Sequence, residues 1–113
     1  MIAEDLVATI GPLISGGFFA SVAPNGTVTP YGVYTLVAGV PQSYVSGYVG
    51  ITNARYQIDL FDRDKATVDA LAETVKSAMQ TATLFKSVCQ LQQDIFEDPA
   101  PFYRVSLDFS LWQ

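Results

Sequence analysis

Histidine is absent from the chain. With it go Ser-His-Asp and Cys-His catalysis, imidazole metal ligation and imidazole pH switching. The single cysteine, Cys89, cannot close a disulfide within the chain. It lies in SVCQLQQDIF among strand-forming neighbours, where a buried apolar thiol is expected rather than a nucleophile. Charge is scarce too: 15% of residues are charged, where about 25% is usual. Arg55, Arg63, Arg104, Lys65, Lys76 and Lys86 are scattered, so no basic patch forms to neutralise phosphates, and direct nucleic-acid binding is not expected. No charged leader followed by a long apolar run opens the chain, and no stretch approaches 18 apolar residues. The expectation is a soluble protein made in the cytosol. The glycines form no phosphate-binding loop, because GYVG lacks the Lys-Ser/Thr ending and the strand-loop-helix setting.

What is present is apolar. Half of the 113 residues are hydrophobic and the net charge is −5, a balance that lets DNA slide past without sticking. A chain of 12.3 kDa is one domain, 1–113, and should expose roughly 6,000 Å². Two neighbours in a ring, each covering about 800 Å², would hide about a quarter of that. Scarce charge on so small a domain therefore points to self-association.

Periodicity sets the element order. IAEDLVATI (2–10) puts Ile2, Leu6, Val7 and Ile10 on one helical face, with Glu4 and Asp5 at the positive N-terminal end. Pro12 and the SGG at 15–17 end that helix. FFASV (18–22) is a short strand or an extended entry, Asn25-Gly26 suits a type I′ hairpin, and YGVYTLVAGV (31–40) predicts a longer strand. Residues 41–53 form a loop-rich segment, or a twisted hairpin with Tyr44 and Tyr48 on one side. ARYQIDLF (54–61) alternates strictly and enters a helix capped by Asp62 or Asp64. Val68, Leu71, Ala72, Val75, Met79 and Ala82 form that helix's apolar stripe. SVCQLQQDIF (87–96) and FYRVSLDFSLW (102–112) complete the strands. The class is α+β, a mainly antiparallel β-sheet with two helices packed on one face.

Two polar rows stand out. Arg55 and Asp59 share their i, i+4 spacing with Arg104 and Asp108. If the two strands pair antiparallel, Arg55 can face Asp108 while Asp59 faces Arg104. The pairs are either an exposed ladder within one subunit or a contact between subunits. Under the second reading, reversing Arg104 to glutamate weakens the assembly more than the fold. Asp62 and Asp64 lack a third carboxylate at metal spacing, and the aromatics are assigned to core packing rather than base stacking. No catalytic, metal or cofactor site is expected, and the protein is not expected to be an enzyme.

Three blocks resemble the phage tail-completion proteins. In GGFFASVAPNGTVTPYGVYTLVAGVP, the residues Ala23, Pro24, Gly26, Pro30, Tyr31, Val33 and Tyr34 fit the pattern APxGxxxPYxVY. In RYQIDLFDRDKATVDALAETVKSAM, the residues Gln57, Asp59, Phe61, Leu71, Ala72, Val75 and Ala78 match, with Met79 where leucine is usual. The closing FYRVSLDFSLW resembles YRxxxDFxxW through Tyr103, Arg104, Asp108, Phe109 and Trp112. Residues 41–53 match no family pattern.

The resemblance implies a tail terminator, or tail-to-head joining protein, at the head-proximal end of the tail in a virion or prophage-derived particle. Assembly would take place in the host bacterial cytoplasm. It also implies a hexameric ring that caps the tail tube, ends its polymerisation and presents a surface to the head connector. DNA would pass the lumen without specific binding. The implied partners are further copies of the chain, the tail tube protein and the head-tail connector or stopper protein. Candidate subunit or tail interface residues are Arg55, Asp59, Arg104, Asp108, Tyr44 and Tyr48. A head-side stopper component and a small dimeric ligand-binding α+β protein are the competing readings.

Overall fold

The computed structural model describes residues 2–24, 26–41, 52–97 and 102–112. Helix α1 (Ile2–Ile10) runs into a 3-10 turn, Gly11–Leu13, and the short strand β1 (Phe18–Ala20). Strands β2 (Tyr31–Pro41) and β3 (Thr52–Asp62) precede helix α2 (Lys65–Thr81), and β4 (Lys86–Glu97) and β5 (Phe102–Trp112) follow it. Together the strands form one sheet in the order β1-β2-β3-β5-β4. Every pairing is antiparallel except β1 with β2. This is the expected α+β fold, and both helices contribute to the same core.

Alternation along the strands chooses the core face. Ile58 stands opposite both Tyr34 and Leu107, and Tyr56 opposite Phe109. Residues directly opposite in an antiparallel pair share a face, so Tyr56, Ile58, Leu60, Val105, Leu107, Phe109 and Leu111 form one apolar surface, all buried. Leu6 and Ile10 of α1 and Val68, Ala72, Val75 and Met79 of α2 close over it. Their i, i+4 and i, i+3 spacings place them on the inward side of each helix. Each fully buried Leu, Ile or Val contributes about 1.5–3 kcal/mol of hydrophobic stabilisation. After α2, Phe85 is buried and the Ser87 hydroxyl donates to the Met79 carbonyl at 3.0 Å, fixing where β4 begins.

The expected hairpin around Asn25-Gly26 does not form. β1 and β2 are parallel, with Phe18 beside Gly32 and Ala20 beside Tyr34. Asn25 itself lies outside the described residues. Gly26 has φ +79°, and the Thr27 N–H donates to the Pro24 carbonyl, so the chain does turn there. A type I′ hairpin needs strands that abut a two-residue loop. Here residues 21–30 separate β1 from β2, enough chain to return and restart in the same direction. On the way back it passes hard against the SGG segment. The Gly16 N–H donates to the Pro30 carbonyl at 2.8 Å, and a Cβ on Gly16 would lie 1.9 Å from the Val28 carbonyl oxygen.

Cys89 also departs from expectation, because its thiol is exposed. β4 is an edge strand, and a bulge between Cys89 and Leu91 breaks its alternation. An edge strand meets protein on one side only, so a strand-like neighbourhood did not imply burial. The expected loop or hairpin at 41–53, with Tyr44 and Tyr48, falls largely outside the described residues; β2 and β3 pair as far as Pro41 beside Thr52.

Replacing Gly16 with alanine should destabilise the fold by about 1–3 kcal/mol, since two backbone carbonyls must move; urea unfolding measures this. Burial, followed by the neighbouring Tyr34, raises the Tyr56 pKa above its ordinary 10.0. The unfolded chain then loses that proton before the folded one does, so stability falls as pH rises past 10. Tyr56→Phe should flatten the alkaline loss of stability above pH 10, read from urea midpoints as pH rises.

Candidate assembly face

The second face of the sheet carries the opposite alternation. Tyr31 pairs with Phe61 and Phe61 with Arg104; Val33 pairs with Asp59 and Asp59 with Ser106; Thr35 pairs with Gln57 and Gln57 with Asp108. Residues from all three sequence blocks, scattered along the chain, thus meet on one surface. Among the described residues no helix packs on it.

Both expected ion pairs are present within the chain. Arg55 Nη2 lies 2.5 Å from Asp108 Oδ2, and Arg104 Nε lies 3.3 Å from Asp59 Oδ1. They are diagonal rather than directly opposite, because Arg55 faces Ser110 and Asp59 faces Ser106 across the ladder. The arginine side chains span the two-residue offset by leaning along the sheet. Gln57 donates to both Asp59 carboxylate oxygens, at 3.2 and 3.0 Å. Asp59 is therefore buried by its neighbours' side chains rather than by a second layer.

The two pairs differ in solvation. The Arg55 side chain is 44% exposed, and water screens such a pair to about 0–1 kcal/mol. The Asp59 side chain is 8% exposed and that of Arg104 25%, so losing Arg104 strands a carboxylate with little water. Asp108 Oδ1 is buried and accepts no hydrogen bond among the described residues, a cost of about 1–3 kcal/mol for an acceptor.

At one end of this face the sequence reading missed a cluster. Tyr31 stacks on Phe61 with centroids 4.9 Å apart and planes 16° from parallel, and Phe102 meets Tyr31 edge-on at 6.3 Å. The Arg104 guanidinium lies 5.7 Å from the Phe61 centroid, and that of Arg63 lies 5.6 Å from Phe102. These are cation–π distances. Tyr31, Val33, Asp59, Phe61 and Arg104, with Ser21, Val22 and Ala23, line a depression of about 340 Å³. The signal was available: Phe61 continues the odd-numbered row of Arg55, Gln57 and Asp59, so period two had already put it on the polar side.

Elsewhere the acids serve local structure. Asp64 is the N-cap residue of α2 and its carboxylate accepts from the Thr67 hydroxyl at 2.7 Å. Lys65 sits 3.1 Å from Asp69 and 3.6 Å from Asp94, tying α2 to β4 at the surface. Its hydrogen bond to Asp69, with support from Asp94, raises its pKa. Tyr44 and Tyr48, the remaining candidate interface residues, lie outside the described residues.

The sheet thus has one packed face and one ordered polar face, and among the described residues no group of three metal-ligating side chains is present. The model of the family "Tail completion protein gp17" matches residues 6–113. The chain belongs to that family, and is thereby a structural protein of a phage tail. No curated protein matches it in sequence. Among solved structures, a chain from the virion of a native gene transfer agent particle has the same fold, with TM-score 0.60 at 17% identity. That match covers 95% of this chain and 82% of the other.

Arg104→Ala should cost about 2–3 kcal/mol, because it leaves Asp59 poorly compensated and uncovers Phe61. Arg55→Ala should cost less than about 1 kcal/mol. Denaturant unfolding of the two variants tests this ordering, and equal costs would contradict it.

Proposed function

We propose that the chain, as a single tail-terminator-like domain, assembles into a hexameric ring on the head-proximal end of the phage tail tube. The ring ends tube polymerisation and offers the head connector its docking surface. DNA passes the lumen without specific binding, a passage suited to a chain of net charge −5 with no basic patch. The observation that carries the reading is membership of the tail completion family over residues 6–113. The polar face supports it, because three separated blocks build one ordered surface that the core does not use.

In mechanism, tube subunits add to an exposed end. A ring that matches that end and turns a different surface outward halts their addition. A closed ring makes heterologous contacts, so each subunit needs two different complementary patches. The Arg55–Asp108 row and the Arg104–Asp59 row are contacts to a neighbouring subunit or to the tube.

Adding the purified protein to polymerising tail tube subunits should arrest growth and leave a ring at one tube end in electron micrographs. Unchecked growth at saturating protein would overturn the reading, as would a stable dimer of about 25 kDa that ignores tube ends. Arg104 is too embedded in the fold to separate assembly from stability, so Arg55 is the residue to truncate. Arg55→Ala should lower capping at least about tenfold while holding fold stability within about 1 kcal/mol. A fall in ring mass as well would assign the row to the subunit contact, and an unchanged mass to the tube.

A further inference from the structure

The sheet ends in two open edges. β4 pairs only with β5, so twelve residues of backbone, Lys86–Glu97, have no strand on their outer side among the described residues. At the opposite edge β1 pairs with β2 only across Gly32–Tyr34, so among the described residues no strand lies on the outer side of β2 from Thr35 to Pro41. Proteins usually blunt such edges with charge, proline or a covering loop. From Ser87 to Gln93 β4 carries neither charge nor proline, and from Thr35 to Val40 β2 carries none either. Both edges also show half-exposed apolar side chains, Val88 and Leu91 on one and Leu36 and Val37 on the other.

We propose that these two edges join to each other between copies of the chain, β4 of one subunit adding to the Thr35–Pro41 half of β2 in the next. Strand direction favours that partner. β2 is antiparallel to β3, β3 to β5 and β5 to β4, so β4 runs opposite to β2. A second copy placed beside the first in the same orientation therefore presents β2 antiparallel to β4, the stronger ladder geometry. The uncharged stretches are of similar length, and pairing satisfies edge backbone groups while setting the half-exposed apolar side chains beside those of the neighbouring strand. The contact is heterologous and repeats from subunit to subunit. Self-pairing of β4 about a two-fold axis would close at two chains and leave the β2 edge open. The inference rests on the ring reading and names the surface by which the ring closes.

Cys89, exposed on β4 and the sole cysteine, is a built-in reporter. Under mild oxidation the native protein should give little covalent dimer, whereas Leu36→Cys and Val37→Cys should give, in at least one variant, a ladder of disulfide-linked multimers. Native protein trapped as a Cys89–Cys89 dimer would overturn the proposal in favour of two-fold pairing. A ring of about 74 kDa by light scattering with no ladder from either variant would overturn the edge contact while leaving the ring intact. Monomers at all concentrations, with no capping of tube ends, would remove the ring reading itself. Independently, Leu91→Lys should lower assembly at least tenfold while circular dichroism and the urea midpoint stay near native, and unaltered assembly would count against the edge.

Discussion

With Ile58 opposite Leu107 and Asp59 opposite Ser106, the register of β3 against β5 assigns every side chain of the central sheet to a layer. A slip of one residue would turn Arg55, Gln57 and Asp59 into the helices and Tyr56, Ile58 and Leu60 out of the core. The register is held from both sides. The fully buried Ile58, Leu60 and Leu107 demand the helix face, and the Arg104–Asp59 pair demands the other. The helices follow from this choice, since Leu6, Ile10, Val68 and Val75 have a surface to cover only when the apolar row is continuous across strands.

The polar face is held together laterally. Asp59 gains an arginine from β5 and a glutamine from its own strand, and those side chains shield it from water. Short serines at 106 and 110 let the long arginines lie along the sheet. The result is a surface ordered without a covering layer, with aromatic rings and two guanidinium groups at one end. Such a surface is pre-organised, so little side-chain freedom is left to lose when another protein docks on it.

The sheet's edges complement its faces. β3 and β5 have strand neighbours on both sides, while among the described residues β4 and the far half of β2 have one each. In the ring proposed for this structural tail protein, backbone hydrogen bonding would supply a repeating contact, and the direction of each strand is fixed by the same central register.

Some of this was written in the one-dimensional pattern. Period two in ARYQIDLF and FYRVSLDF, and the helical stripe from Val68 to Met79, determined the strands, the helix and the α+β class, because side-chain spacing alone sorts residues between faces. Matching spacing in the two strands even singled out Arg55 with Asp108 and Asp59 with Arg104. What the pattern could not contain was which strands lie next to one another. The Asn25-Gly26 turn read as a hairpin because turn chemistry is local, whereas the parallel placement of β1 depends on Gly16 and Gly17 meeting the returning chain. Cys89 read as buried because neighbouring residue types do not reveal that β4 is an edge. The Tyr31–Phe61–Arg104 cluster joins residues far apart in the chain, and only their adjacency in the sheet makes them a site. Local periodicity decides which way a residue points; strand order, set by the closing of the whole core, decides what it meets.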